Sequence, residues 1–324
     1  MDKKWKRRVG RLDMQTPPPK LKKTRYIDDN GIILETIHDG TFSPPEQTPP
    51  EYLSFEADKD NTSIVITSTM ATAPNIEYST EGRKFSVLPH TTSNSTHTFD
   101  TITLDNKGDK VYLRGNNKTL GSSTSATTFK INGGVIASGV LTTLLDKKGK
   151  KTQLPNYAFN SLFEEATSGF GCYMKGVPSL GNITKIGNYS CRHMYLNSVV
   201  IAEEAADMSK VTYIGEGGCL NMYYHTYNIK KAADMDNVET IGDGGCSGMY
   251  ATITQMQDAA SMKKVSSFGT DCIKSMYMLC SNLTLIDNGE LTFEFPELPI
   301  TDASGKIYST PQDVVDAMTY NPWA

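Results

Sequence analysis

The chain has 324 residues, 38% of them hydrophobic and 21% charged, with a formal net charge of −4. That balance excludes wholesale disorder, the length allows two or three domains, and apolar runs as short as residues 31–34 and 199–202 exclude a membrane-spanning helix. Sixteen Tyr, 11 Phe and 26 Gly favour strands and turns over helices.

The charge is divided unevenly. Residues 1–25 carry ten Lys or Arg against Asp2 and Asp13, a net +8, which leaves 22 basic and 34 acidic residues, a net −12, for the rest. A basic arm on an acidic body seeks a negative partner: an acidic protein surface, nucleic acid or anionic lipid. The basic stretch 3–11 is not followed by the apolar stretch of about 7–15 residues that a secretory signal needs. The expectation is therefore synthesis in a cytoplasm without export by that route. Pro17-Pro18-Pro19 favours extended backbone. Asn30-Gly31, set between β-forming residues, predicts a hairpin over 24–38, and an isolated hairpin is marginal in water. Trp5, Lys6, Arg7, Arg8 and Arg11, with Ile32 and Ile33 of the hairpin, are the expected anchoring residues. A Pro-rich linker over 43–50 closes this first segment, residues 1–51.

From 52 to 146 the pattern changes to short β-forming runs with turns between them. Strands are predicted at 53–55, 63–67, 75–79, 84–88, 98–104, 110–114 and 128–131, with an exposed Ser/Thr/Asn-rich loop at 91–97. That many short strands in one segment is the pattern of a β-sandwich.

Residues 147–290 are dominated by a repeat. One unit runs Ile183-Thr-Lys-Ile-Gly187, Cys191-Arg-His-Met-Tyr195, Ala205-Ala-Asp-Met208. The second has Val211 to Gly215, Cys219 to Tyr223 and Ala232 to Met235; the third has Val238 to Gly242, Cys246 to Tyr250 and Ala259 to Met262. A fourth begins at Val265, and 157–163 reads as a degenerate leading unit. Met-Tyr pairs begin at 194, 222, 249 and 276. A period near 27 residues predicts a solenoid in which each coil covers its neighbour. Ile186, Ile214, Ile241 and Phe268 should form one buried ladder, and Met194, Met222, Met249 and Met276 another. Gly after each Ile or Phe suits an open backbone angle or a place where a β-carbon would clash. Runs such as 227–230 and 253–256 are expected to supply the solenoid strand. The six Cys all lie beyond residue 170 and recur with the repeat, so they read as buried hydrophobes, with inter-coil disulfides geometrically open. Residues 291–324 form a predicted cap: a strand at 291–295, a helix at 310–318 opened by Thr310 and Pro311, and Asn321-Pro-Trp323 folding back on the last coil.

Asn75-Ile-Glu-Tyr-Ser-Thr-Glu-Gly82, with the run from Ile102 to Asn116, resembles the immunoglobulin-like β-sandwiches of Bacteroidales surface proteins and their phages. The Val-Thr-x-Ile-Gly-x-x-x-Cys pattern is similar to the BspA-type leucine-rich repeat. This resemblance implies a mainly β protein: an extended arm and hairpin, an Ig-like sandwich, then a curved solenoid used for binding or adhesion. The unit departs from that pattern in its greater length and in Ala-Ala-Asp-Met where Ile-Pro is usual.

No catalytic or metal-binding motif emerges, and neither a cofactor nor an enzymatic activity is expected. Cys191-Arg-His193 lacks a second ligand pair, and Gly215-Glu-Gly-Gly218 lacks the Lys and helix of a phosphate loop. Tyr224, His225 and Tyr227 occur in one unit only and are the candidate surface-binding residues. The resulting expectation is a bacteriophage virion accessory protein, such as a head fibre, decoration or tail-associated protein. Its arm would hold other virion proteins and could touch nucleic acid, while the repeats bind a host surface protein or glycan; a homo-oligomer is expected. Alternatives are a bacterial cell-surface adhesin and a carbohydrate-active enzyme.

Overall fold

The computed structural model describes residues 22–27, 33–38, 51–165 and 172–324, the first two stretches by backbone alone. The chain forms two compact units, Met1–Thr48 and Pro49–Ala324. In the first, β1 (Lys22–Ile27) and β2 (Ile33–His38) pair antiparallel with Ile27 opposite Ile33, as a hairpin requires. Trp5, Lys6, Arg7, Arg8, Arg11, Ile32 and the Asn30-Gly31 turn lie outside the described residues.

The second unit is mainly β and ends in a β-solenoid of about four turns. Its first part comprises β3 (Leu53–Ala57), β4 (Thr62–Ser68), β5 (Ile76–Ser79), β6 (Ser86–Val87), β7 (His90–Ser93), β8 (Thr96–Phe99), β9 (Ile102–Leu104), β10 (Lys110–Gly115), β11 (Thr127–Asn132) and β12 (Val135–Ser138). Strict alternation of buried and partly exposed residues along β4 and β10 is the signature of strands covered on one face. Two sheets result. One contains β12-β3-β10-β5-β6, the other β11-β4-β8-β7 with β9 also on β4. Their inward residues, among them Phe55, Ile64, Ile66, Val111, Leu113 and Phe129, belong to one core.

The run 91–97, expected as a loop, is instead most of a hairpin between β7 and β8, turned by Asn94 and Ser95 at φ of 48° and 62°. All four residues of β7 are exposed, so no hydrophobic alternation marks it. The single strand expected at 98–104 is divided between β8 and β9, and β12 had no counterpart in the sequence reading.

The solenoid strands are β13 (Gln153–Leu154), β14 (Tyr173–Lys175), β15 (Lys185–Ile186), β16 (Val199–Glu204), β17 (Tyr213–Ile214), β18 (Asn228–Lys231), β19 (Thr240–Ile241) and β20 (Ser267–Phe268). β13, β15, β17, β19 and β20 form one parallel ladder that buries Leu154, Ile186, Ile214, Ile241 and Phe268. β14, β16 and β18 form the other. This second ladder is an extension of the first sheet: β12 pairs antiparallel with β3 on one side and parallel with β14 on the other. The strand expected at 253–256 is not formed; the third unit contributes only a bridge from Lys231 to Asp258. Glu203 and Glu204 are exposed and face Lys230 and Lys231 of the next coil at 2.9 and 3.4 Å.

Between the ladders each coil runs through a chain of turns with two alternating kinds of hydrogen bond. In the second unit the amides of Gly217, Cys219, Asn221 and Tyr223 donate to carbonyls of the following coil, while those of Gly218, Leu220, Met222 and Tyr224 donate three residues back. Positive φ recurs every fourth residue: Tyr189, His193 and Asn197, then Gly217, Asn221 and His225, then Gly244, Gly248 and Thr252, then Asp271, Ser275 and Leu279. In the first three units every amide of these turns therefore has a partner without forming a helix.

The Gly that follows Ile186, Ile214, Ile241 and Phe268 is required for closeness rather than for an unusual angle. A Cβ on Gly242 would lie 2.8 Å from the Glu216 amide nitrogen, and one on Gly269 2.3 Å from that of Asp243. The thiols are free and buried. In the fourth unit a one-residue shift puts Ile273, not Cys272, in the row of Cys191, Cys219 and Cys246: the Met249 amide donates to Cys246, and the Met276 amide to Ile273. Cys272 takes the place of Gly245.

An aromatic column joins the two parts of the unit. Phe55, Phe129 and Phe163 meet at 5.7–6.5 Å, and Phe163 stacks on Tyr195 at 5.3 Å. Tyr195, Tyr223, Tyr250 and Tyr277 follow at 5.1, 5.6 and 5.5 Å with planes within 6°. The phenols are buried and need partners. Ala206, Ala233 and Ala260 supply them, each donating its amide to the hydroxyl of Tyr223, Tyr250 and Tyr277 at 3.0, 2.9 and 2.7 Å. The donor always lies 17 residues before the ring. For Tyr195 that position is Pro178, which has no N–H, and the Tyr195 hydroxyl is buried without a partner.

The far end is closed by β21 (Ile286–Asp287), β22 (Glu290–Leu291), β23 (Ile300–Thr301), β24 (Ile307–Tyr308) and α1 (Pro311–Thr319). Thr310 and Asp313 form a capping box, and Pro311 opens the helix as the sequence predicts. The carbonyls of Ala317 and Met318 accept from Ser275 and Tyr277 in place of a further coil, and the Ala303 amide donates to Phe268. The strand expected at 291–295 survives only as β22. The rest of that stretch still covers the end, with the Phe295 ring 5.7 Å from Phe268.

Candidate functional site

Stacked coils present equivalent positions side by side, so a surface feature arises where one unit breaks its column. Asn221, Gly248 and Ser275 share a column, as do Tyr224, Ala251 and Met278. The third unit thus has a hydrogen and a methyl where its neighbours have larger side chains. Gly248 adopts φ of 61°, a conformation Gly and Asn take readily, and a Cβ there would lie 2.1 Å from Asn221 Oδ1.

The result is a cleft of about 580 Å³ floored by Gly248 and Ala251, with Tyr224 and Asn221 on one side and Met278, Tyr320 and Trp323 on the other. Ser247, Asp271 and Lys274 complete a polar rim. The C-terminal wall is held by Ser275 Oγ donating to the Tyr320 carbonyl at 2.6 Å and by the Trp323 amide donating to Asn321 Oδ1 at 3.0 Å. Lys274 Nζ lies 3.1 Å from Asp271 Oδ2 and 5.2 Å above the Tyr320 ring. Trp323 is 72% exposed and Tyr320 47%, so the rings remain open to solvent.

The structure separates the three residues singled out in the sequence. Tyr224 lines the cleft, and partial burial raises its hydroxyl pKa. His225 stacks on it at 4.2 Å but serves the coil: it has φ of 58°, and its Nδ1 lies 3.2 Å from Asn197 Oδ1. Burial lowers its pKa. Tyr227 is 45% exposed just before β18 and does not line the cleft. Asn221, Tyr320 and Trp323 were missed. The signal that could have found Asn221 was the alternation of large and small residues down two repeat columns; Tyr320 and Trp323 belong to the terminal segment and had no such signal.

The thiols and the column phenols of the repeats are turned inward. Beside Cys191 the Cys219 thiol, together with burial, pushes its pKa up, and burial does the same for Cys246 and Tyr250. Cys280 is raised to about 12 by burial. None of these is a poised nucleophile. Among the described residues no group of three or more His, Cys, Asp or Glu is placed to hold a metal ion, and no helix is long and apolar enough to cross a membrane.

No protein-family model matches the chain, nor does any curated protein or solved structure.

Proposed function

We propose that this chain is a non-enzymatic attachment protein, a structural accessory of a bacteriophage virion. In this reading the basic arm and hairpin fasten it to an acidic surface of the particle, and the solenoid displays a binding face toward a host or mucus surface. We also read the paired sheets as an immunoglobulin-like module and the repeats as a long variant of the BspA type.

The observation that carries the binding role is the division of side chains within one repeat. Thiols and phenols that could do chemistry are stacked inside as packing, while aromatic rings collect, uncovered, at a break in the outer columns. The +8 arm against a −12 body supports the anchoring role, because the two would repel different partners.

Deleting residues 1–23 tests the anchor. The truncated chain is expected to keep the thermal melt of the body and to lose particle incorporation; normal incorporation overturns the assignment.

A further inference from the structure

We infer that the cleft over the third repeat unit is a carbohydrate subsite that takes a neutral hexopyranose, stacked between Tyr224 and the Tyr320–Trp323 wall. The inference rests on the attachment reading and gives it a ligand class.

A pyranose has an apolar C–H face and an edge of hydroxyls. It therefore needs a flat aromatic surface beside donors and acceptors at the rim. Tyr224, Tyr320 and Trp323 supply the first; Asn221, Ser247 and Asp271 supply the second. A volume of about 580 Å³ lies within the ordinary range for small-ligand sites. Tyr320 is pre-placed, since Ser275 Oγ already holds its carbonyl and Lys274 sits over its ring.

Charge selects a neutral sugar. Lys274, the cleft's one cation, is paired with Asp271 at 3.1 Å, so no uncompensated positive charge awaits a carboxylate or sulfate. Residues 26–324 carry a net −12, which disfavours acidic glycans further. The backbone argues against a peptide. The floor amides of Ser247, Gly248 and Ala251 are already bonded to Gly244, Lys274 and Gly248 carbonyls, leaving no ladder for an incoming strand to join.

Only two Trp occur, Trp5 and Trp323, so a Trp5→Phe chain makes Trp323 fluorescence a direct reporter. That full-length chain would be titrated with neutral gluco-, galacto-, manno- and N-acetylhexosamine oligosaccharides, with sialylated oligosaccharides and an aromatic peptide in parallel. The expected result is a saturable change with at least one neutral sugar and about tenfold weaker binding for Tyr224→Ala. Trp323→Ala should weaken calorimetric binding to a similar degree, and both variants should keep their far-UV spectra. No neutral-sugar response, a response confined to acidic sugars or the peptide, or unchanged affinity in Tyr224→Ala overturns the subsite. Adhesion to mucin and to whole bacterial cells is scored separately. Adhesion without sugar binding leaves the attachment reading standing and removes the subsite; sugar binding without adhesion does the reverse.

Discussion

The start of the solenoid and its later coils carry the same column of rings on different hydrogen-bonding terms. Phe163 has no hydroxyl, and Tyr195 has one that stays unpartnered, with Pro178 at the sequence position where the later units have a donor Ala. From Tyr223 onward each hydroxyl accepts an Ala amide from the preceding coil. Ring stacking alone therefore suffices next to the sheets, where Phe129 and Phe55 continue the column. Farther out, the hydrogen bond from the Ala amide ties each ring to the preceding coil. Regularity and stability are separable here: the stack is unbroken, yet its polar satisfaction begins only at the second unit.

Substitutions along the column test that difference. Tyr250→Ala removes a fully buried ring from mid-column and should cost about 3–5 kcal/mol in chemical denaturation. Tyr223→Phe keeps the ring but strands the Ala206 amide, for an expected loss of about 1–3 kcal/mol. Tyr195→Phe deletes a hydroxyl with nothing to bond and should change the unfolding free energy by about 0–0.5 kcal/mol in either direction. Equal losses for the two Tyr→Phe variants would erase the contrast.

A separate effect, confined to low pH, concerns the first unit. His193 occupies the column of Asn221, Gly248 and Ser275, and burial, helped by the Arg192 cation, lowers its pKa from 6.5 to about 4. Glu164 Oε2, 4.0 Å from its Nδ1, is at the limit of ion pairing and does not reverse this. The folded state binds fewer protons than the unfolded state between those values. Stability present above pH 6.5 should therefore fall as the pH drops toward 4. His193→Asn, which suits the same positive φ, should flatten that part of a melting-temperature profile; an unchanged slope assigns the effect elsewhere.

How much was legible follows from where each signal resides. The ladders of Ile186, Ile214, Ile241 and Phe268 and of the Met row were readable because a repeat states the same burial several times. The capped helix was readable because Thr310, Pro311 and Asp313 carry its start locally. The continuity of β12 with β14 was not, because pairing between residues 39 apart, Val135 with Met174 and Ile136 with Lys175, leaves no local mark. The β7–β8 hairpin was missed because its exposed residues follow no hydrophobic rule. In the fourth unit the spacing already differed, Cys272 standing four residues before Met276 where Cys191, Cys219 and Cys246 stand three before theirs, but that Ile273 fills the row was not read from it. The cleft was half visible. Tyr224 stood out as an excess ring, but its opposite wall comes from the terminal segment, which has no repeat to be compared against.

The helix that ends the solenoid accepts, through the carbonyls of Ala317 and Met318, from Ser275 and Tyr277, whose equivalents in the unit before, Gly248 and Tyr250, donate to the next coil. The stack therefore stops on a different element that meets two of the donors an added coil would meet, so a run of coils is terminated without leaving those two unpaired.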